Sequence, residues 1–592
     1  MGNLLPPDQR RGSESATSVA DTNFSEKQHS VQAHHAALAF ERDDAGMDSD
    51  AHASDKRNDV GGLIHHLLHP AGHLPFRALH IPALVPSIEF PNQGHGDCSE
   101  FMPTPPIWVY YPFKVLYTVY FILSSVFVYL PCAAVANVYR GHRGRPSWSW
   151  RKSMTVCVVR RCVRFICNTR ILLTHTPPTG ALPRVKRSVF VWIEPEHAFA
   201  APKDGVLDEG GSPDIRGELK RAMSVQGVGA ARCGGYWLTA DSDTVAPDAP
   251  ARRDEKLLFV LHGGAYWMGS GHEDGSTAHF ACSVLNRLSG TPQEVPRRAF
   301  MLEYRLAQHT DFHRGSFPAA LLDTLMAYLY LTRRCGFRPA DIVLVGESSG
   351  GNLALALCRY LRDEAVAPVP DALLLLSPWC DISRSHSGPV CAPNRFSTTV
   401  LNSKSDILDP SLLYRNTAVA AFIGNFPASE TYTNAYMSPV SLHLDTGCCG
   451  RAPFWGFEGF PSRVYISTGS AEMNTEQHIT LAHRMAQGTQ RGIPVYTGDK
   501  VSAGGDVQQF AWRDNFPRSH TAASMYHRTD FPAARTKQRL EARDVVFDEE
   551  KDGVHVYQLF PWFEPERSRS IDRIVAWLSH RPIDESPQDC AA

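Results

Sequence analysis

The chain has almost no excess of charge of either sign. Its 592 residues include 59 Lys and Arg against 61 Asp and Glu, which gives a formal net charge of −2 at pH 7. Nucleic-acid binders and general anion-seeking surfaces depend on a basic excess. The balance therefore argues against both classes, and we expect no nucleic acid among the partners.

Cysteines with the spacing of a metal site are also lacking. The 14 cysteines are scattered: Cys157, Cys162 and Cys167 lie in a basic segment, and Cys448 and Cys449 are adjacent in a glycine-rich loop. The start of the chain, MGNLLPPDQRRGSES, has no apolar stretch after its first charges, so we expect no cleavable signal peptide. Without a secretory leader, free thiols are expected rather than disulfides.

Residues 1–100 lack hydrophobic periodicity. They are rich in His, Asp, Ser, Gly and Ala, a composition that buries little apolar surface, and we predict a disordered leader. The histidines in this part, among them His34, His35, His65 and His66, have no metal-ligand spacing. We therefore predict no metal site here.

A long uncharged stretch follows the leader. From Val115 to Tyr139, 25 residues carry no charge, which is enough for a helix to cross a hydrocarbon core of ~30 Å with some tilt. Tyrosines lie on both sides of it, as in the aromatic belts of membrane proteins. Because Pro131 and the pair Ser124 and Ser125 interrupt the stretch, an interfacial helix and a buried core helix stay open as alternatives to a spanning one.

The charges that flank this stretch are asymmetric. Lys114 alone lies close before it, whereas Arg140, Arg143 and further basic residues follow it. By the positive-inside tendency, the C-terminal part would lie on the cytoplasmic side of the endoplasmic reticulum or another internal membrane. The segment WSWRKSMTVCVVRRCVRFICNTR predicts an amphipathic helix that lies either on an anionic membrane surface or against the rest of the protein. We assign residues 101–184 to this membrane-associated region.

Strands and helices alternate from about residue 185 onward. Aliphatic runs such as KLLFVLHGG, DIVLVGESSGG and SRVYISTGS each end in a turn or in polar residues, and segments with helical spacing separate most of them. This alternation predicts an α/β fold whose mostly parallel sheet has helices on both faces. In such sheets, functional sites lie at the carboxyl ends of the strands, where the next motifs occur.

One motif matches the pattern G-x-S-x-G. Gly346, Ser348 and Gly350 follow an aliphatic strand and precede a run rich in Ala and Leu. The pattern indicates a tight turn from strand to helix that exposes the serine at the top of the sheet. Ser348 is therefore a candidate nucleophile, although glycine turns with a central serine also occur by chance.

A second motif, LHGGAYWMGS at Leu261–Ser270, follows a strand about 85 residues earlier. A nucleophilic serine needs N–H donors that face the developing oxyanion, and consecutive glycines let the backbone approach a substrate closely. The amides of Gly263, Gly264 and Ser349 are the candidate donors.

These motifs together resemble a known family. HGGAYWMGS and GESSGG, with EYRLA, FPAALLD and SPWCDIS, are similar to motifs of the hormone-sensitive-lipase-like α/β-hydrolases, among them arylacetamide deacetylases, bacterial esterases and fungal steryl acetyl hydrolases. The resemblance covers about residues 185–580. It implies hydrolysis of carboxylic esters by a Ser–acid–His triad in that chain order, with a lid of N-terminal helices over an acyl pocket. Ala265 stands where the family usually has a third glycine.

The resemblance also suggests the base and the acid. His555, in DGVHVYQLF before a final helix, matches the histidine that takes the proton of the serine. Glu472 follows the strand SRVYISTGS at the place of the family's aspartate, and a glutamate can orient the imidazole with a slightly longer reach. Glu476, one helical turn on, and Asp381, after a neighbouring strand, stay open as alternative acids.

Further residues receive structural expectations. Tyr304 and Arg305 are expected to brace the base of the site, with the arginine in a buried ion pair. Tyr266 and Trp267 are expected to line a substrate pocket or to belong to the core.

These inferences combine into one functional prediction. We predict a membrane-associated serine hydrolase that acts on a small apolar ester through an acyl-enzyme, with no metal and no organic cofactor. An acyltransferase with the same triad stays open, as does a non-catalytic binding protein on this fold. The predicted catalytic domain covers residues 185–580, with a surface insert at about 498–542 and a tail at 581–592. No pattern predicts an oligomeric state.

Overall fold

The computed structural model describes residues 107–171, 180–199, 215–241, 249–290, 295–307, 315–388, 394–409, 417–444, 456–487, 489–501 and 541–579. The predicted leader at 1–100, the tail at 581–592 and most of the predicted insert at 498–542 lie outside these residues. Nine of the cysteines fall within them, and all nine are free thiols, as predicted.

A mixed sheet organises the described part of the chain. Its strands are β1 Val189–Ile193, β2 Cys233–Thr239, β3 Lys256–Leu261, β4 Pro296–Glu303, β5 Ile342–Glu347, β6 Ala372–Leu376, β7 Arg463–Gly469, β8 Val495–Gly498 and β9 Asp544–Glu550. Their order across the sheet is β1-β2-β4-β3-β5-β6-β7-β9-β8. The pairs β1–β2 and β2–β4 are antiparallel and the remaining pairs are parallel, so the predicted mostly parallel sheet is confirmed.

Helices precede the sheet and separate most of its strands. They are α1 Phe113–Ser124, α2 Leu130–Ala136, α3 Trp150–Thr169, α4 Pro195–Phe199, α5 Gly217–Gln226, α6 Ser276–Leu288, α7 Ala319–Leu329, α8 Ser349–Glu364, α9 Thr398–Leu401, α10 Thr417–Ile423, α11 Glu430–Thr433, α12 Thr475–Ala486 and α13 Glu566–Leu578. A π-helical turn, Ser125–Tyr129, joins α1 to α2.

The core lies on both faces of the sheet because alternate residues of a strand point to opposite faces. In β5, Leu344 belongs to the cluster that includes residues of α7, α8 and α12, whereas Val343 and Val345 belong to the cluster that includes residues of α6 and α13. All three are buried, and burial of such a side chain stabilises the fold by about 1.5–3 kcal/mol. The aliphatic runs of the sequence therefore form strands that helices cover on both sides.

Five strands that are neighbours in the sheet end at the same edge. The strands β3, β5, β6, β7 and β9 run parallel in the order β3-β5-β6-β7-β9. Residues at or next to their carboxyl ends pair across the sheet: Leu261 with Gly346, Glu347 with Leu376, and Gly469 with Glu550. The loops that follow these strands are thus brought together from distant parts of the sequence.

The uncharged stretch forms a helix from Phe113 to Ala136 (α1, the π-helical turn and α2). It has a mean hydropathy of 2.0 and is, by length and composition, able to cross a membrane. Only 6% of its most apolar window is buried, which excludes the alternative of a buried core helix.

The basic segment after it forms α3, which packs against the sheet-containing part of the protein. Lys152 pairs with Glu566 at 2.6 Å, and Arg164 pairs with Asp409 at 2.6 Å. Of the two alternatives for this helix, the structure therefore shows the packed one.

Candidate active site

Ser348 lies at the turn between β5 and α8. Its φ of 52° and ψ of −116° fall in a region that L residues rarely adopt, at a cost of about 1–3 kcal/mol. The turn is tight: a Cβ on Gly346 would lie 2.4 Å from the carbonyl oxygen of Gly350, and one on Gly350 would lie 2.2 Å from that of Leu261. The glycines therefore let β5 pass directly into α8, with the serine half-exposed at the turn.

The Oγ of Ser348 lies 2.9 Å from Nε2 of His555, a buried residue on the loop after β9. Burial lowers the pKa of His555, but the hydrogen bond with Glu472 and the charges of Glu472 and Asp406 outweigh it, so that the pKa is raised. This environment stabilises the imidazolium that forms when the histidine accepts a proton.

Glu472 lies on the loop between β7 and α12 and is fully buried. Its Oε2 lies 2.9 Å from Nδ1 of His555. Its Oε1 accepts hydrogen bonds from Thr468 Oγ1 and the Gly469 amide, both at 2.6 Å, and from Ser377 Oγ at 3.1 Å. Both carboxylate oxygens are thus held, and one of them is directed at the histidine.

The surroundings of Glu472 favour its ionised form. Burial by itself would raise the pKa of Glu472, but the neighbouring His478 and the hydrogen bond with His555 outweigh it and lower the pKa. His478 is fully buried, with Nδ1 3.7 Å from Oε1 of Glu472. The acid therefore lies between two histidines, of which only His555 contacts Ser348.

Neither alternative acid contacts His555 in the structure. The carboxylate of Asp381 accepts a hydrogen bond from Nδ1 of His386 at 2.7 Å and further bonds from Ser383 and Ser385. Glu476 lies in the first turn of α12, where burial raises its pKa to about 8. A carboxyl that is neutral at pH 7 is poorly suited to stabilise an imidazolium.

The His-Gly-Gly loop departs from the prediction at one donor. The amide of Gly263 donates to Oε2 of Glu347 at 3.1 Å and is therefore already satisfied in this conformation. The amides of Gly264, Ala265 and Ser349 donate to no acceptor within the described part of the chain. Gly264 and Ala265 have positive φ values of 114° and 56°. Successive backbone N–H groups in turns with positive φ can form a concave site for an anion.

Comparison with known proteins agrees with the fold and the motifs. Residues 258–496 match the family described as alpha/beta hydrolase fold. The described sheet and the helices that cover it therefore have the α/β-hydrolase fold, and they are called the α/β-hydrolase domain below. An "Acetyl-hydrolase" of Streptomyces hygroscopicus is 36% identical over 134 residues, which are 23% of this chain and 39% of that protein.

Two further proteins are similar to the α/β-hydrolase domain. "Steryl acetyl hydrolase 1" of Saccharomyces cerevisiae is 24% identical over 144 residues, 24% of this chain and 31% of that protein. A solved esterase from the bacterial hormone-sensitive lipase (HSL) family is 19% identical, with 72% of this chain and 97% of that chain covered and a TM-score of 0.40. The chain thus spans less than half the length of the two curated relatives, and the predicted resemblance to hormone-sensitive-lipase-like α/β-hydrolases is confirmed.

The expected braces of the α/β-hydrolase domain are present. Tyr304 donates from its hydroxyl to the carbonyl oxygen of His262 at 2.6 Å, directly before the His-Gly-Gly loop turns. Arg305 forms an ion pair of 2.8 Å with the fully buried Asp323. These contacts fix the start of the loop that carries Gly264.

An apolar cluster lies beside the same loop. The ring of Tyr266 stacks on Phe422 at 4.2 Å, and its hydroxyl donates to Asn352 of α8 at 2.7 Å. The amide of Tyr266 donates to Ser349 Oγ at 3.2 Å, so this cluster begins next to the residue after Ser348. Trp267, the other aromatic residue singled out, is buried as well.

Asp406 was missed by the sequence analysis. This buried residue accepts hydrogen bonds from the amides of Met473 at 2.8 Å and His555 at 2.9 Å. It therefore joins the loop that carries Glu472 to the loop that carries His555. No motif marks it, and only its position in the segment after α9 reveals its contacts.

No group of three His, Cys, Asp or Glu side chains arranged to hold a metal ion occurs among the residues that the structure describes.

Proposed function

We propose that the protein is a serine-dependent carboxylic ester hydrolase. The observation that carries this proposal is the row of hydrogen bonds from Ser348 through His555 to Glu472, at the edge of the sheet where the strands end. The relatives called acetyl-hydrolase and steryl acetyl hydrolase support the same reaction class.

The proposed mechanism begins with attack of Ser348 Oγ on the ester carbonyl carbon. His555 Nε2 accepts the hydroxyl proton, and Glu472 stabilises the imidazolium through Nδ1. The imidazolium then returns the proton to the leaving alcohol, and an acyl-enzyme remains. Water, deprotonated by His555, attacks the acyl carbonyl, and the serine leaves with the proton restored.

We propose the amides of Gly264, Ala265 and Ser349 as the oxyanion donors. These amides have no acceptor among the described residues. Gly264 and Ala265 lie in a loop with positive φ values, which is held to Ser349 by the hydrogen bond from the Tyr266 amide, and Ser349 directly follows Ser348. Loss of one such donor typically lowers kcat by about 10²–10³. In this arrangement the Gly263 amide acts indirectly, because it ties the loop to Glu347.

We propose that the substrate is an apolar ester. The stacked rings of Tyr266 and Phe422, with Phe317 beside them, form a buried apolar cluster next to Ser349. Candidate substrates are steryl or aryl acetates and acylglycerols, and the names acetyl-hydrolase and steryl acetyl hydrolase support the acetates. We further propose residues 185–580 as the catalytic domain, associated with the cytoplasmic face of an internal membrane.

Replacement of Ser348 tests the proposal directly. The Ser348→Ala variant should lose hydrolysis of short p-nitrophenyl esters by at least about 10³-fold, because the nucleophile is gone. A fluorophosphonate probe should label the wild type and not this variant. Ser289→Ala, at the end of α6, is the matched serine control and should keep both turnover and labelling. Turnover retained by Ser348→Ala would contradict the mechanism.

A further inference from the structure

The helix Phe113–Ala136, called the apolar helix below, is packed along α3 over its whole length. The contacting pairs follow an antiparallel order: Tyr117 with Asn168, Phe121 with Phe165, Ser125 with Arg161, Tyr129 with Cys157, and Asn137 with Ser153. The apolar helix is therefore bound side by side to α3 and does not project away from it.

The same helix α3 is also bound to the α/β-hydrolase domain. Three basic residues make these contacts: Lys152 with Glu566, Arg160 with the carbonyl oxygen of Ser403, and Arg164 with Asp409. Because α3 contacts both the apolar helix and the α/β-hydrolase domain, the apolar helix lies beside that domain and does not extend away from it.

This packing is incompatible with a membrane-crossing orientation. The guanidinium of Arg161 donates to Ser124 Oγ at 2.9 Å and to Ser125 Oγ at 3.1 Å, in the middle of the apolar helix. If the apolar helix crossed the bilayer, Arg161 and its neighbours Arg160 and Arg164 would lie at the depth of the acyl chains. Charged side chains at that depth are costly.

The face of the apolar helix that points away from α3 is a continuous apolar stripe. Its members follow helical spacing and are more than half exposed: Leu116, Tyr120, Leu123, Phe127 and Val135. The stripe ends at Tyr139, which is 68% exposed, and Arg140 follows it. An exposed apolar face next to basic residues, here those of α3 and of the connection to it, is typical of a segment that lies in the membrane interface.

The charge around the stripe selects an anionic surface. Residues 107–193 contain 13 Lys and Arg and no Asp or Glu. Four of these basic residues, Arg145, Lys152, Arg164 and Arg187, pair with carboxylates elsewhere in the chain, and the others leave the segment with a positive excess. A basic segment of this kind is attracted to the negatively charged lipids of a cytoplasmic leaflet.

We propose that the apolar helix lies in the plane of an anionic leaflet, with its exposed stripe among the acyl chains and both of its ends on the same side of the membrane. The bilayer thus covers the stripe, and α3 connects the bilayer surface to the α/β-hydrolase domain. This proposal requires no ester chemistry and goes beyond the proposed function.

Topology gives the first test. The 592-residue chain carries a different epitope tag at each end and is inserted into sealed microsomes, to which protease is added from outside. A helix that lies in the plane leaves both tags digested or both protected. If one tag is digested and the other protected, the helix crosses the membrane and the proposal is wrong.

Vesicle flotation gives the second test. Purified wild type should float with phosphatidylcholine vesicles that contain phosphatidylserine, and less with phosphatidylcholine alone. Leu123→Asp combined with Phe127→Asp should lower the bound fraction by about tenfold or more, because two acidic groups would enter the apolar layer. Ile493→Asp, at an equally exposed aliphatic residue before β8, is the control and should bind like the wild type.

The remaining outcomes separate the alternatives. The Ser348→Ala variant should float like the wild type, so that a failure of the ester mechanism leaves this proposal intact. Unchanged flotation of the double variant would contradict the proposal. If the wild type does not bind vesicles but forms a dimer, and the double variant does not dimerise, then a second copy of the chain covers the stripe and the proposal is wrong.

Discussion

At the scale of single residues, Glu472 governs the protonation of His555. Oε1 of Glu472 accepts from the Gly469 amide, so the carbonyl of a Gln at this position would stay on that side and its NH₂ would face His555. An NH₂ donor there forces the wrong imidazole tautomer. Glu472→Gln should therefore lower kcat by about 10³–10⁴-fold.

The pH profile of the same variant gives a second readout. Glu472 raises the pKa of His555, and the base is active only when it is neutral, so activity falls as pH drops through this pKa. Glu472→Gln should move the acidic limb of kcat/KM to lower pH. Glu476→Gln is the matched control and should keep both rate and profile; the reverse result would identify Glu476 as the acid.

Asp406 is predicted to be a positioning residue. In Asp406→Asn, the NH₂ group would oppose the amide of Met473, next to Glu472, whereas the bond to the His555 amide is retained. We expect kcat to fall by about 10²-fold, because small displacements of catalytic groups are costly.

The charge of Asp406 separates this role from a structural one. Since Asp406 also raises the pKa of His555, its neutralisation should shift the acidic limb of kcat/KM to lower pH. Asp409→Asn, in the same segment but paired with Arg164, should leave the limb in place. Equal profiles for the two variants would contradict the assignment.

At the scale of elements, the connection between the apolar helix and α3 is part of the folded core. Trp148 is only 3% exposed, and its Nε1 donates to the carbonyl oxygen of Asp552, three residues before His555, at 3.0 Å. In the same connection, Arg145 donates to the carbonyl oxygen of Ser470 at 3.1 Å, two residues before Glu472. The membrane-proximal part thus braces the two loops of the candidate site.

Substitution of the two neighbouring tryptophans tests this coupling. Trp148→Ala should lower the free energy of unfolding by about 3–5 kcal/mol, since it removes a buried aromatic side chain. Trp150→Ala is the control: Trp150 is 42% exposed, and its loss should cost less than about 1 kcal/mol. If denaturant unfolding shows similar losses of stability for Trp148→Ala and Trp150→Ala, the connection is not packed into the core.

At the scale of the whole molecule, buried carboxyl groups make stability depend on pH. Burial raises the pKa of Glu476 from 4.5 to about 8, so between these values the folded protein keeps a proton that the unfolded chain releases. The stability that this group contributes is full below pH 4.5 and is lost as pH rises towards 8. Glu476→Gln, which mimics the neutral form, removes this dependence.

Unfolding measured at several pH values checks this prediction. The stability of the wild type relative to Glu476→Gln should decrease as pH rises from 5 to 8, by at most about 1.4 kcal/mol per pH unit. A difference that stays constant over this range would show that Glu476 is ionised in the folded state.

The sequence by itself determined the features that depend on local backbone constraints. Aliphatic runs alternating with helical spacing predicted the mostly parallel sheet, because side-chain period decides which face a strand or helix buries. Gly346 and Gly350 marked the turn at Ser348, since no larger residue fits there. The order of the motifs along the chain then singled out His555 and Glu472 through the family resemblance. The strand β8 has only four residues, which is too short to show a hydrophobic pattern.

Only the tertiary structure decided between groups that lie close in sequence but face different neighbours. Glu472 and Glu476 are one helical turn apart, and packing alone directs the first to His555 and buries the second away from it. Packing likewise directs the Gly263 amide to the carboxylate of Glu347. It also lets Asp406 join the loop that carries Glu472 to the loop that carries His555. It also holds the apolar helix along α3, a relation that hydropathy cannot express because it records composition and not partners.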